Sequence, residues 1–374
     1  MRTLPCLLFC CAGFGCSTAG PARPDAAAPA TLYVAPDGDD ANPGTRAAPL
    51  RSVGAAAARA RAGATVRVAP GTYAENVKST AHGSAAAPIR YLSDVKWGAK
   101  IVGSGTEAVW ENHGRHVEIA GFDLSGSGRA GILNVASRVR MAGNHVHDLA
   151  LSGGCTGNGG GGIVNADYTA SDGEISGNVV HDIGTPGACP GVHGIYLSNL
   201  RGRIDNNIVY RASAWGIHLW HAADRVVIAN NTVFANGSAT VGGGIVAGTG
   251  DRPGGVVLSG TRIINNIVAF NPRASIRQYC YPGQACIGAG NVVANNVVYG
   301  NGIGIEMLVG KARGTIVADP GFVAFRADGS GNYQLQRGSP ALKSGIAVAA
   351  PATDIDGVRR PRGASVDIGA YQQR

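Results

Sequence analysis

Several things are scarce in this sequence, and each scarcity excludes something. Charged residues make up only 15% of the chain, and its arginines are scattered rather than clustered with aromatics. That argues against nucleic acid as a partner. No Cys-x-x-Cys pair exists, which removes the usual spacing of a zinc site. No segment is apolar for long enough to cross a bilayer; the best candidate, Leu4 to Phe14, is too short. No lysine lies between Lys100 and Lys311, so a proton-abstracting lysine is excluded from the middle of the chain.

Glycine and asparagine are plentiful instead. The 58 glycines are about twice the usual ~7% share, without the three-residue period of collagen. Together with the Asn and Val content they predict many short strands and tight turns. The net charge of +8 gives a surface that attracts anionic partners.

The opening MRTLPCLLFCCAGFGC reads as a signal peptide over 1–16, with Cys16 as the expected lipidated residue. An Ala/Pro-rich tether follows over 17–31. The expectation is an exported bacterial protein, periplasmic, extracellular or anchored to the outer membrane by lipid, with no transmembrane span. Four cysteines remain: Cys155, Cys189, Cys280 and Cys286. An even number in an oxidising compartment predicts disulfides.

From residue 115 the chain repeats. One column reads I-x-x-N-x-V: MAGNHV, ISGNVV, IDNNIV, IANNTV, IINNIV and VANNVV. It aligns Asn144, Asn178, Asn207, Asn231, Asn266 and Asn296. A second column reads G-I-x: GIL, GIV, GIY, GIH and GIV, starting at Gly131, Gly162, Gly194, Gly216 and Gly244. SIR at 275–277 and GIE at 304–306 extend it. Fixed strands with loops of variable length predict a solenoid. In such a stack the asparagines form a hydrogen-bonded ladder.

These columns resemble the right-handed parallel β-helix of the pectate-lyase-like superfamily. LYVAPDGDDANPGTRAAPL and its continuation to 77 resemble the first segment of secreted bacterial β-helix proteins. DPGFV, GSPAL and DIDGVRRPRGASVDIGAYQ resemble their closing segment. The resemblance implies an all-β fold, a single right-handed parallel β-helix with a short N-terminal capping helix. That helix is expected to start at Ser52 as N-cap and end near Gly63. The cap and first coils take 32–114, the central repeats 115–318 and the closing segment 319–374. The register places Cys155 and Cys189 in the same loop of successive coils, where they can pair, while Cys280 and Cys286 close a local loop. A monomer is expected.

Strand alternation turns the residues two and four after each glycine outward. The later coils then gather Tyr196, His218, Trp220, Arg277, Tyr279 and Glu306 on one face, with His221 at a corner. Long loops at 147–161, 181–193, 248–259 and 279–290 wall that face into a groove suited to a polymer. His193, directly before Gly194, is placed at the groove edge. The fold hosts lyases, hydrolases, epimerases and non-enzymes. The Asn-Thr-Asp motif of polygalacturonases and the Asp-Pro-His-Asp signature of mannuronan epimerases are both missing. The leading reading is an acidic, uronate-containing polysaccharide as partner, cleaved by β-elimination. In that reaction His218 is the base, Arg277 neutralises the carboxylate, and Tyr196 or Tyr279 carries a proton, with His193 beside them. Trp220, Tyr279, Glu306 and His221 bind sugar. A non-catalytic carbohydrate-binding surface protein and a glycoside hydrolase are the alternatives. NHVHDL and NVVHDI stack His147 over His181 and Asp148 over Asp182; the favoured reading is plain repeat similarity, and the alternative makes the two carboxylates candidate ligands of a metal, calcium being the cation expected.

Overall fold

The computed structural model describes residues 31–151, 159–249 and 255–373. Within them the chain winds through three parallel sheets of ten, nine and eight strands, one strand of each per coil. This is a parallel β-helix, as the repeats predict. Cys16 and Cys155 lie outside the described residues. No helix among them is long and apolar enough to cross a membrane.

The I-x-x-N-x-V column is a corner, not one strand. Ile204, for example, ends up in strand Arg203–Asp205 of the ten-stranded sheet, and Val209 in strand Ile208–Ala212 of the nine-stranded sheet. The residue before each ladder asparagine makes the bend with a left-handed backbone. Gly143 (φ 62°), Gly177 (65°), Asn206 (53°), Asn230 (56°), Asn265 (56°) and Asn295 (51°) all adopt it. Glycine and asparagine tolerate that region best, which explains the G-N and N-N dipeptides.

The six ladder asparagines are fully buried. Each amide donates to the next carbonyl oxygen, at 3.2, 2.9, 2.9, 2.9 and 3.0 Å from Asn144 up to Asn296. Two shorter ladders accompany it, Asn112–Asn134–Asn165 and Asn236–Asn271–Asn301.

The glycine column has a steric cause. A Cβ on Gly131, Gly162, Gly194, Gly216 or Gly244 would lie 2.2–2.5 Å from the side chain of Val146, Val180, Val209, Val233 or Val268 respectively. The two repeated columns are therefore complementary: the valine of one fills the space that the glycine of the other leaves. Gly194→Ala is expected to cost about 1–3 kcal/mol by overpacking, read as a lower midpoint in denaturant. Adding Val209→Ala should recover only part of this, because the new Cβ also meets the Gly216 carbonyl oxygen at 2.7 Å.

This packing breaks the simple alternation. The glycine and the following isoleucine both face the core, so the residue before the glycine turns outward along with the residue after the isoleucine. His193 (before Gly194) and His218 (after Ile217) therefore share the outer face of the eight-stranded sheet.

The capping helix runs Val53–Arg59, ending at Ala60 rather than near Gly63. Ser52 accepts a hydrogen bond from the Ala55 amide at 3.1 Å. The Glu75 carboxylate accepts from the Val53 and Gly54 amides at 2.8 and 2.9 Å, so the helix start is satisfied. Val53, Ala56 and Ala57 bury against the first coil. The closing segment lies along the outside of the nine-stranded sheet. There Phe322, Tyr333 and Leu335 cover Ile208, Tyr210 and Phe234. The buried Arg360 guanidinium donates to Asn206 Oδ1 and the Gly369 carbonyl, both at 2.9 Å.

Candidate functional site

The outer face of the eight-stranded sheet carries a groove of about 800 Å³. Its early coils are bland, with Leu133, Val135, Val164 and Ala166. The middle and later coils supply His193, Tyr196, His218, Trp220, Arg277 and Tyr279, and His221 sits at the corner of the same wall. The structure thus brings together seven of the eight groove residues expected from sequence. Glu306 does not line the groove. It faces Arg277 across the last rung, with its carboxylate 3.1 Å from Arg277 Nε.

His193 and His218 form the floor. His193 is buried, and its Nε2 lies 2.7 Å from His218 Nδ1. The Trp215 amide donates to His193 Nδ1 at 3.4 Å. A nitrogen that accepts carries no proton, so His193 is protonated on Nε2 and donates to His218 Nδ1. His218 is then the Nε2–H tautomer, and a proton donor rather than a lone pair remains for the groove. Burial pushes the His193 imidazole down to about 3. Burial, reinforced by repulsion from His193 and His221, holds His218 well below the ordinary histidine value. Both rings are neutral at neutral pH.

Sequence reasoning expected Trp220 to be an open shelf. Its ring is only 7% exposed, because it stacks on Tyr279 with centroids 5.7 Å apart and planes 22° apart. The exposed aromatic surface comes from two tyrosines that the repeat columns do not mark. Tyr168 is 40% exposed and stacks on His221 at 4.3 Å; Tyr281 is 44% exposed and meets Trp220 edge-on at 5.5 Å. Tyr281 sits inside the small loop closed by the Cys280–Cys286 disulfide, which keeps the ring at the groove. Cys189 is disulfide-bonded, while its expected partner Cys155 is outside the described residues. Trp215 is the other aromatic that alternation alone misses. It stands directly before Gly216 and so faces out.

The groove is cationic. Arg129, Arg273 and Arg277 line it, and no carboxylate does among the described residues. The Arg277 guanidinium also lies over the Tyr279 ring, 5.3 Å from its centroid.

Asp148 and Asp182 are placed elsewhere, on the nine-stranded sheet. Each carboxylate turns back onto the histidine before it, at 2.8 and 2.7 Å. Asp182 also pairs with Arg211. The side chains that converge there are imidazoles, so the carboxylates do not form a calcium cage of their own.

Residues 98–253 match a family described as "Right handed beta helix region", and 36–82 match "Protein of unknown function (DUF1565)". No curated protein matches in sequence. Among solved structures, the chain is similar to the crystal structure of pectate lyase Pel9A. The TM-score is 0.61 at 17% identity, over 92% of this chain and 96% of that one. It is also similar to a rhamnogalacturonan lyase, with a TM-score of 0.57 at 17% identity over 79% and 91% of the two chains. At this identity the likeness establishes the fold.

Proposed function

We propose that the groove of this right-handed parallel β-helix binds an acidic, uronate-containing polysaccharide and cleaves it by β-elimination. One observation carries this reading: arginines and aromatic rings wall the groove over a neutral imidazole pair, with no carboxylate among its described lining. Arginine matches a sugar carboxylate bidentately. Tyr168, Tyr281 and Tyr279 offer faces for sugar rings. Glycoside hydrolysis by the usual pair of Asp or Glu groups finds neither among the described lining.

β-Elimination removes the proton at C5 of a uronate and expels the oxygen at C4. The carboxylate beside C5 gains charge as the proton leaves, so its oxygens must be neutralised. Arg277, held by Glu306, is the cation for this. His218 donates its Nε2–H to the same developing oxyanion, as a neutral imidazole can. His218 serves here as donor rather than as the base that the sequence leads one to expect, because its Nδ1 accepts from His193. The proton then moves through Tyr196, whose ring centre is 5.3 Å from that of His218. Its hydroxyl gives its own proton to the departing C4 oxygen and takes up the one leaving C5, so the tyrosine ends as it began.

Calcium fits this groove poorly, since it needs six to eight oxygen ligands and the described lining offers no carboxylate. Activity is therefore expected to survive chelation. The Cys280–Cys286 disulfide agrees with an extracytoplasmic location.

The test is incubation with pectate, alginate and glycosaminoglycans while following the ultraviolet absorbance of an unsaturated uronate. Turnover on one of them is expected, with Arg277→Ala reducing kcat about 10²–10³-fold. New reducing ends without that absorbance would establish hydrolysis and overturn the proposal. Retention on a polysaccharide gel with no product would leave a binding protein.

A further inference from the structure

We infer that the outer face of the nine-stranded sheet holds a divalent transition-metal ion between His145, His147 and His181. This place lies on a different sheet from the groove. His145 and His147 share strand His145–Ala150, and His181 belongs to the neighbouring strand Val179–Ile183 of the next coil. One ring nitrogen from each of the three lies within 4.8 Å of the others.

The hydrogen bonds around the rings point inward. Asp123 Oδ2 lies 3.1 Å from His145 Nδ1, Asp148 Oδ2 2.8 Å from His147 Nδ1, and Asp182 Oδ2 2.7 Å from His181 Nδ1. An ionised carboxylate only accepts, so each Nδ1 carries the proton. In neutral His145 and His181 the lone pair is then on Nε2; His147 Nε2 also faces Asp123 Oδ2, at 3.1 Å, so that ring carries protons on both nitrogens until an ion displaces the one on Nε2. Yet Nε2 of His145 and Nε2 of His181 stand 2.8 Å apart. Two lone pairs at that distance repel unless a cation joins them. A carboxylate behind each ligating imidazole is how proteins orient histidine toward a metal. The chain builds this locally: Asp148 (φ 45°) and Asp182 (φ 51°) use left-handed backbone to bring their carboxylates back onto the preceding ring.

Packing alone does not account for the arrangement. Trp97 stacks on His145 at 4.8 Å, and Tyr210 and Phe234 continue the column above His181 at 4.5 and 4.9 Å. The aromatic rungs fill the column without carboxylates. Only the histidine rungs carry them. The three imidazoles are 13–21% exposed, open enough for an ion and a water to enter. Imidazole donors select zinc, nickel, copper or cobalt over calcium. Tetrahedral zinc with bonds of ~2.0–2.1 Å sets nitrogens about 3.3 Å apart, so the His145–His181 contact opens by about half an ångström on loading. Asp123 Oδ2, also 3.1 Å from His147 Nε2, stands ready as a fourth ligand in place of water.

The experiment is equilibrium dialysis of the chelator-stripped full chain against Zn²⁺, Co²⁺ or Ca²⁺, followed by metal analysis. One equivalent of Zn²⁺ or Co²⁺ per chain and no Ca²⁺ is expected. Co²⁺ should give the intense visible bands of a tetrahedral site, and Cu²⁺ should quench Trp97 fluorescence. His181→Ala and His147→Ala should lose the equivalent. Asp182→Asn, which keeps the ring packing, should weaken binding about 10–100-fold. Circular dichroism confirms that each variant is folded, and His193→Gln serves as a control that keeps the equivalent. Equal zinc in wild type and folded His181→Ala would overturn the site, as would no retained zinc, which would leave a proton between the two rings. Preference for Ca²⁺ would overturn it equally.

Discussion

Asn207→Ala is expected to destabilise the protein by about 3–5 kcal/mol, more than any single groove substitution. Asn207 is a central rung and is fully buried. Its Oδ1 accepts from the Asn178 amide and from Asn178 Nδ2, both at 2.9 Å. Its Nδ2 donates to the Ile175 carbonyl and to Asn231 Oδ1, both at 2.9 Å. Asn178 Nδ2 keeps the Met141 carbonyl, and Asn231 Oδ1 keeps the Asn207 amide. The Asn178 amide loses its acceptor, and the Ile175 carbonyl, which stands in the parallel ladder of strands Glu174–Ser176 and Arg203–Asp205, loses one of its donors. The orphaned buried amide costs about 1–3 kcal/mol, and the other lost bonds add to that. The measurement is the denaturant midpoint at unchanged slope. Gly143→Asn is the matched control. Gly143 has φ 62° and nothing within contact range of a new Cβ, and other coils carry asparagine at the same position. A change within about ±0.5 kcal/mol is expected there. If Asn207→Ala were as mild, the ladder would be a consequence of the stack rather than a support for it.

The ladder was legible because it recurs in a fixed six-residue frame. A column of identical residues in one register carries its own alignment. The Asn112–Asn134–Asn165 ladder was missed because only two members share a frame: Asn134 and Asn165 follow GIL and GIV, while Asn112 stands in WEN. The groove face was legible for the residues after the isoleucines, where alternation holds. It failed at Trp215, and it gave His193 only an edge position, because the glycine turns inward against a valine of the next column and shifts the pattern by one. Tyr168, Tyr281, Arg129 and Arg273 come from turns and loops of variable length, for which a repeat gives no register. Asp123 and His145 were invisible for another reason. They are direct cross-strand partners on neighbouring strands, but each stands at a variable position of its repeat, just before the Leu or Val, so the repeat marks neither side chain. Repetition fixes what stacks on what, while chemistry gathers where the repetition is interrupted.

The second large effect concerns pH. Stability should fall steeply as pH drops from about 6.5 toward 3, with the His193–His218 pair as a principal cause. In the unfolded chain both histidines take up protons near pH 6.5. In the fold His193 is pushed down to about 3 by burial, and His218 is held well below its ordinary value for the same first reason. Over that window the unfolded state binds protons that the native state refuses. Each such group then removes up to ~1.4 kcal/mol of stability per pH unit. The contribution is complete above pH ~6.5 and is lost as pH falls through the window. His181, lowered chiefly by burial, works in the same direction. His147 works against them. Burial lowers it, but the hydrogen bonds it donates to Asp123 and Asp148 outweigh that and raise it, so its contribution is complete below its unfolded value and lost as pH rises. The comparison that isolates the pair is wild type against His193→Gln. Glutamine has an oxygen to accept from the Trp215 amide and an NH₂ to donate to His218 Nδ1, but it takes up no proton. Its unfolding free energy between pH 6 and 4 should lose about one proton's worth of slope. Parallel curves would mean that His193 titrates normally and that its burial is not felt. The same neutrality bears on the reaction. A donor held well below the ordinary histidine value by burial predicts no break in kcat/KM at that value. The acid limit of activity should instead track unfolding, and in His193→Gln both limits should move to lower pH together.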